Sequence, residues 1–485
     1  MVCDMYDVAI IGAGICGASA AYFLAQRKLK ICVIEKENDV AMGTTKANSA
    51  IVHAGYDPKP GTLMARFNVR GAALIKKLAA KLSVPYQQIG SLVLAFDDAD
   101  LKLIHKLYER GVQNGVPGLQ ILSAEETLAK EPNLNPTVQG SLYAPTAGIV
   151  APWELCIALC EVAAQNGCEF KLDSEVTAIE NRQDHFVITT VNEKIEAKYI
   201  VNAAGVFADK ICAMAGECDF TIHPSKGQYY LLDKNQGDLV RHVVFQCPTA
   251  LGKGVLVSPT VEGNLIVGPN AELDNQRDDV ATTRAGLDYV AATAAKTTTK
   301  INYRENVRNF SGLRAVSDKD DFIIGPAAFS PRFINVAGIK SPGLTAAPAI
   351  GEYVAELLEN SGLKAEKKES YIDIRKHIVF NRLTAEEKKK LIKENPAYGN
   401  VICRCNTVTE GEILQALRSP LPPRTLDGVK RRAGTGMGRC QGGFCSPRVH
   451  EIISRELGIP FEAVELDRKG SRIVIRDMNK EDRNV

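Results

Sequence analysis

The chain has 485 residues, a formal net charge of +2, 45% hydrophobic residues and 24% charged residues. That length exceeds one ordinary core and predicts two or three domains of average soluble composition. The near balance of charge excludes a dedicated nucleic-acid binder, which carries a basic face or arm, and it leaves no acidic tail.

"VAIIGAGICGASAAYFLA" (Val8–Ala25) is uncharged, yet Asp4 and Asp7 stand where a signal peptide needs positive charge, and three glycines interrupt the run. A buried strand, turn and helix is therefore expected. No other run is long and apolar enough to span a bilayer, so a cytoplasmic protein with at most peripheral membrane association is expected. Its 13 cysteines are then thiols or ligands rather than disulfides.

"YDVAII" reads as a strand, "GAGICG" as a turn, Ala18–Gln26 as a helix and "KICVIEK" as the next strand. Gly12, Gly14 and Gly17 form G-x-G-x-x-G, and Glu35 closes the second strand where an acidic residue meets a ribose. This is a dinucleotide fingerprint, and by itself it does not separate FAD from NAD. Arg66 to Lys130 reads as largely helical scaffold, with a capping box at "SAEE" from Ser123. "EVTAIENRQDHFVITTVNEKIEAKYIVNAAG" reads as short strands. Beyond Cys218, "SKGQYYLLDK", "HVVFQC" and "GVLVSPTVEGNLIVGP" alternate around a turn at Glu262–Asn264, as in an antiparallel sheet. "RFINVAGIKSPGLTAAPAIGEYVAELL" returns to strand, turn and helix, with the helix starting at Pro342 and Gly343.

Residues 361–399 are charged and lysine-rich, and read as a linker with one solvated helix. Cys403-x-Cys405 and Cys440-x4-Cys445 follow, with 34 residues between the pairs. Four thiolates in two close pairs suit one [2Fe–2S] cluster or one zinc, although zinc sites more often use C-x2-C. Glycines 434, 436, 438, 442 and 443 let backbone amides approach the sulfurs, and Lys430, Arg431, Arg432 and Arg439 are expected to offset the negative charge there.

"KANSAIVHAGYDPKPG", "VNAAGVFAD", "GIKSPGLTAAP", "PTALGKGVLVSPTVEGNLIVGP" and "FSGLRA" together resemble the FAD-dependent oxidoreductases of the D-amino-acid oxidase superfamily, within it the soluble glycerol-3-phosphate oxidase/dehydrogenase branch. The segment from "VICRCN" to "GRCQGGFC" resembles the bacterioferritin-associated ferredoxin-like [2Fe–2S] module. The resemblance implies an α/β protein: a Rossmann-like FAD-binding domain (1–75, 145–215 and 315–360) with an inserted antiparallel-sheet substrate domain (76–144 and 216–314). It also implies a small helical C-terminal iron–sulfur domain (400–465), followed by a polar tail (466–485). FAD would meet Gly12, Gly14, Gly17, Glu35, Thr45, Ser49, Ala204, Gly205, Gly338, Lys340, Gly343, Leu344 and Thr345. His53 would be the base that takes the alcohol proton as a hydride passes to flavin N5, and Arg314, with Lys253, would hold the substrate anion. The implied reaction turns glycerol 3-phosphate into dihydroxyacetone phosphate, and electrons leave through a cluster on Cys403, Cys405, Cys440 and Cys445. L-2-hydroxyglutarate remains an alternative substrate, and an electron-transfer subunit with no substrate of its own an alternative role. An electron-accepting protein, such as an NAD-linked flavoprotein subunit or a carrier feeding quinone, is the expected partner.

Overall fold

A computed structural model describes residues 5–248, 254–273 and 276–474. β1 (Tyr6–Ile11) leads through the glycine turn into α1 (Ile15–Leu24), and β2 (Ile31–Ile34) returns alongside β1 in parallel, Val8 opposite Ile31. Both strands are buried almost throughout, as expected of a parallel sheet covered on its faces. Lys194–Asn202 pairs parallel with β1 on the other side, and Ser330–Ala337 pairs parallel with Lys194–Asn202. Glu169–Lys171 lies parallel to β2, and antiparallel hairpin strands complete eight strands.

Helix α2 (Gly343–Asn360) and the helix Pro152–Gln165 pack against α1. Small residues let them approach: a Cβ on Gly351 would lie 2.5 Å from the Ser19 carbonyl carbon. The result is one core, built from Val8, Ile10, Val33 and Val201 of the sheet with Ala21, Ile157 and Ile350 of the helices.

A nine-stranded sheet forms the second layer. Its longest pairing is Ile222–Leu232 against Asn306–Ser317, antiparallel, and Leu256–Pro259 and Leu265–Gly268 form the hairpin expected around Glu262–Asn264. Arg66 to Lys130 is largely helical as expected, but the reading missed two strands within it: Ser91–Ala95 is fully buried inside this sheet, parallel to Val243–Gln246, and Gln120–Ser123 is its edge. A short apolar run flanked by helices has no alternation to reveal it.

The C-terminal domain holds three helices, α3 (Glu410–Leu417), α4 (Leu426–Ala433) and α5 (Ser446–Leu457), around Ile413, Val429, Val449 and Ile453. The segment expected as a linker is mostly tied down. Lys28 N–H donates to Glu366 O and Lys368 N–H to Gln26 O, Phe380 is buried, and the capped helix Ala385–Glu394 has no buried residue. Arg375 donates to Glu161 at 2.5 Å, with both side chains at most 6% exposed. Of the expected tail, residues 466–474 also lie against the body through Asp467, while 475–485 lie outside the described residues.

Removing one member of a buried pair leaves an uncompensated charge, which costs about 3–5 kcal/mol. Arg375→Ala should therefore lower the urea unfolding midpoint clearly, whereas Lys389→Ala, exposed on the solvated helix, should leave the stability within about 0.5 kcal/mol of wild type.

Candidate functional site

One cavity of about 1920 Å³ runs between the two sheets and on to the C-terminal domain. A pocket for a drug-sized ligand is about 300–1,000 Å³, so this space has room for an extended dinucleotide and a small substrate together. At one end lie Gly12, Gly14, Ile15 and Glu35. The glycines there are dictated by space: a Cβ on Gly12 would stand 2.5 Å from Ala203 O, and one on Gly17 only 1.9 Å from Gly12 O. The turn consequently delivers the N-terminus of α1 to the cavity, where the helix dipole favours a pyrophosphate. Glu35 Oε2 accepts from Ala13 N–H at 2.7 Å and Oε1 from Glu37 N–H at 3.0 Å, which fixes the carboxylate and leaves lone pairs for a ribose. Burial pushes its pKa up, against those two hydrogen bonds.

The expected FAD contacts do not all reach the cavity. Thr45, Ser49, Ala204, Gly205, Lys340, Gly343 and Leu344 line it; Gly17, Gly338 and Thr345 do not. Thr45 Oγ1 accepts from Ile15 N–H at 3.0 Å, and Ser49 Oγ lies 3.1 Å from Tyr229 Oη. Thr345 is fully buried and supports His53 instead: its Oγ1 accepts from His53 N–H at 3.0 Å and donates to Ile51 O at 3.2 Å. Gly338 has a φ of +65°, and a Cβ there would meet Ser317 Oγ at 2.8 Å, so it shapes the turn that carries Lys340.

His53 lines the cavity's middle. Asn68 Nδ2 donates to its carbonyl at 2.7 Å, its ring stacks on Phe245 at 5.7 Å, and its Nε2 stands 3.4 Å from Ser341 Oγ. Arg314, on the strand Asn306–Ser317, donates to Asn270 O at 3.2 Å and meets no carboxylate among the described residues. A half-buried guanidinium open to a cavity and lacking an anion is equipped to take one. Lys253 lies outside the described residues. Ser341, Phe245 and Asn270 were missed by sequence reading; Ser341 stood in "GIKSPGLTAAP" and Phe245 in "HVVFQC", but only as part of the expected fold.

The four thiols meet as two pairs, each drawn from both motifs. Cys405 Sγ and Cys440 Sγ are 3.6 Å apart, and Cys403 is hydrogen-bonded to Cys445. Two thiolates on one tetrahedral metal at about 2.3 Å stand about 3.8 Å apart, so each pair suits one iron of a two-iron centre. Among the described residues no three His, Cys, Asp or Glu side chains gather as a single-ion site. The Cys445 hydrogen bond and backbone N–H groups of Gly436, Asn406 and Cys405 hold the Cys403 thiol below its ordinary range; those of Phe444 and Gly442 point at Cys440. The loop must be glycine where it passes them, since a Cβ on Gly438 would lie 2.4 Å from Cys405 Cβ.

Residues 7–357 match the FAD dependent oxidoreductase family. The chain belongs to that family. This oxidoreductase carries a second match, to the BFD-like [2Fe-2S] binding domain, over residues 401–455. The oxidoreductase is 50% identical over 471 residues to a glycerol 3-phosphate dehydrogenase of Caloramator mitchellensis, covering 97% of this chain and 98% of that one. It is 34% identical to a glycerol 3-phosphate oxidase of Mycoplasma genitalium, covering 75% of this chain and 96% of the relative. Its fold matches an L-alpha-glycerophosphate oxidase from Mycoplasma pneumoniae with FAD bound, at TM-score 0.73 and 33% identity over 77% of this chain and 99% of that chain. FAD and a [2Fe–2S] cluster are thus its cofactors. No helix among the described residues is long and apolar enough to cross a membrane.

The basic residues near the cysteines do something other than offset cluster charge. Arg431 and Arg432 on α4 are buried, and both donate to the Asp39 carboxylate, at 3.1 and 2.8 Å. Arg431 also pairs with Asp467, whose other oxygen takes Lys46 at 2.7 Å. Arg439 pairs with Asp233 and Glu305 of the second sheet, and Lys430 with Asp427. Arg431, Arg432 and Arg439 fasten the C-terminal domain to the oxidoreductase body, and paired neighbours repay the burial of Arg431 and Arg432.

Burial alone would raise the Asp39 pKa, but Arg432 and Arg431 bring it down from 3.8 to about 2. Its stabilisation is complete above about pH 4 and drains away as pH falls toward 2. Asp39→Asn should cost about 3–5 kcal/mol at neutral pH and expose the C-terminal domain to limited proteolysis. Wild type should approach that protease sensitivity only between pH 4 and 2.

Proposed function

We propose that this oxidoreductase oxidises sn-glycerol 3-phosphate to dihydroxyacetone phosphate and passes the electrons out through its C-terminal iron–sulfur centre. The observation that carries the reading is Arg314, a guanidinium with no carboxylate partner among the described residues, lining the cavity that His53 also lines. The whole-chain likeness to a glycerol 3-phosphate dehydrogenase supports the choice of substrate.

Arg314 holds the phosphate through parallel N–H···O bonds, and the Asn270 carbonyl aims its fork. His53 Nε2 takes the hydroxyl proton. Thr345 and Asn68 grip the backbone of His53 on both sides, and Phe245 backs its ring, so that Nε2 keeps one direction. Bound FAD supplies the two-electron acceptor and the cluster a one-electron carrier. Lys340 and the N-terminus of α2 place positive charge on the wall beside His53, where Gly343 and Leu344 open onto the cavity. Cys403, Cys405, Cys440 and Cys445 hold the iron.

Met437 and Gln441, on the loop that bears Cys440, line the same cavity as His53. That shared wall supports electron exit through the C-terminal domain and favours a dehydrogenase role. Cytoplasmic placement and an external electron-accepting protein complete the reading.

In an anaerobic titration of the fully loaded protein, glycerol 3-phosphate should bleach the flavin absorbance; bleaching by L-2-hydroxyglutarate alone would move the assignment to that acid. His53→Asn should retain FAD yet slow flavin reduction about 10²- to 10⁴-fold. Cys440→Ser should lose iron and turnover with the protein acceptor while stopped-flow bleaching by substrate persists.

A further inference from the structure

The loop carrying Cys440 and Cys445 has an inner and an outer side. Inside, Met437 and Gln441 face the cavity. Outside, Phe444 is 83% exposed, more than any other large apolar residue among those described. It stands one residue before Cys445 and four after Cys440, so its ring starts beside an iron ligand. Cys405 is exposed as well, and Val401, two residues before Cys403, is 42% exposed. Arg404 sits exposed between two ligands with no ion-pair partner among the described residues, and Arg448, near the start of α5, has a side chain 62% exposed whose Glu451 contact at 3.3 Å is itself solvated. An exposed pair of that kind is worth little and leaves the guanidinium open to a partner.

Isolated exposed apolar residues are ordinary, but this one directly precedes the ligand Cys445, with exposed Arg448 four residues on and exposed Arg404 between the ligands Cys403 and Cys405. Such a patch fits a small transient interface with an apolar centre and a charged rim, in which opposite charge guides encounter. We propose that Phe444, Arg404 and Arg448 form the docking surface at which an acidic one-electron carrier protein takes electrons from the cluster. The inference rests on the reading that electrons leave through the C-terminal domain. In each encounter one electron leaves the cluster and reduces one metal or flavin centre of the carrier. No bond forms or breaks, and two encounters discharge one oxidised alcohol.

Oxidised rubredoxin, a small acidic one-electron iron protein, is the probe, mixed anaerobically in a stopped-flow with dithionite-reduced holoenzyme. Phe444→Ser, and separately Arg404→Glu with Arg448→Glu, should each lower the second-order rate constant at least tenfold while the visible cluster spectrum is retained. In the double variant the fall of that rate with added salt should disappear, with substrate bleaching of the flavin unchanged. Should Phe444→Ser fail to load iron, the double variant decides the matter. Equal rates in wild type and variants, or no transfer to rubredoxin from reduced wild type, would overturn the proposal. So would a Phe444-dependent dimer in sedimentation, which assigns the face to a second copy. If wild-type flavin ignores glycerol 3-phosphate but the dithionite-started losses appear, the substrate assignment fails and the docking surface stands.

Discussion

A single buried carboxylate joins the two redox halves of the molecule. Asp39 stands a few residues beyond β2, on the loop that leaves Glu35, and both guanidinium groups of Arg431 and Arg432 close on it. Charges taken out of water are tolerated only where opposite charges and hydrogen bonds meet them, so these three side chains fit together in one relative position of the domains. Glu161 adds a second anchor: it accepts from Arg375 and stands 4.0 Å from Arg432 Nε. Dispersion would hold the C-terminal domain with less angular precision, whereas this ionic clasp sets the face that the cysteine loop turns toward the cavity.

Because the domain is clasped there, the cavity has walls from three parts of the chain. The parallel sheet provides the glycine turn and Glu35, the antiparallel sheet provides Arg314 and Asn270, and the C-terminal domain provides Met437 and Gln441. The same constraint separates the sides of the cysteine loop, one toward the chamber and one toward solvent.

The arginines show how neighbours decide function. Arg431 and Arg432 are buried against Asp39 and serve position; Arg314 meets the Asn270 carbonyl and no carboxylate among the described residues; Arg404 is exposed beside the cysteines. All four are identical in chemistry and would be counted alike in composition. What differs is the set of oxygen atoms folded against each.

The sequence determined what depends on local spacing and on residue type. The glycine turn with Glu35, the capping box at Ser123, the start of α2 after Pro342 and the four thiols are written within short windows, because turn geometry, helix period and ligand chemistry act over a few residues. The family segments likewise pointed to His53 and Arg314. Tertiary structure alone decided the rest. Ser91–Ala95 became a buried strand because two strands distant in sequence flank it, and Thr345 turned to hold His53 instead of the cavity. Cys405 paired with Cys440 rather than with its neighbour Cys403, and Arg431 and Arg432 of the basic run found Asp39, almost four hundred residues away in the chain. Contacts of that range leave no periodic trace, since each is set by where whole elements pack and not by the residues beside it.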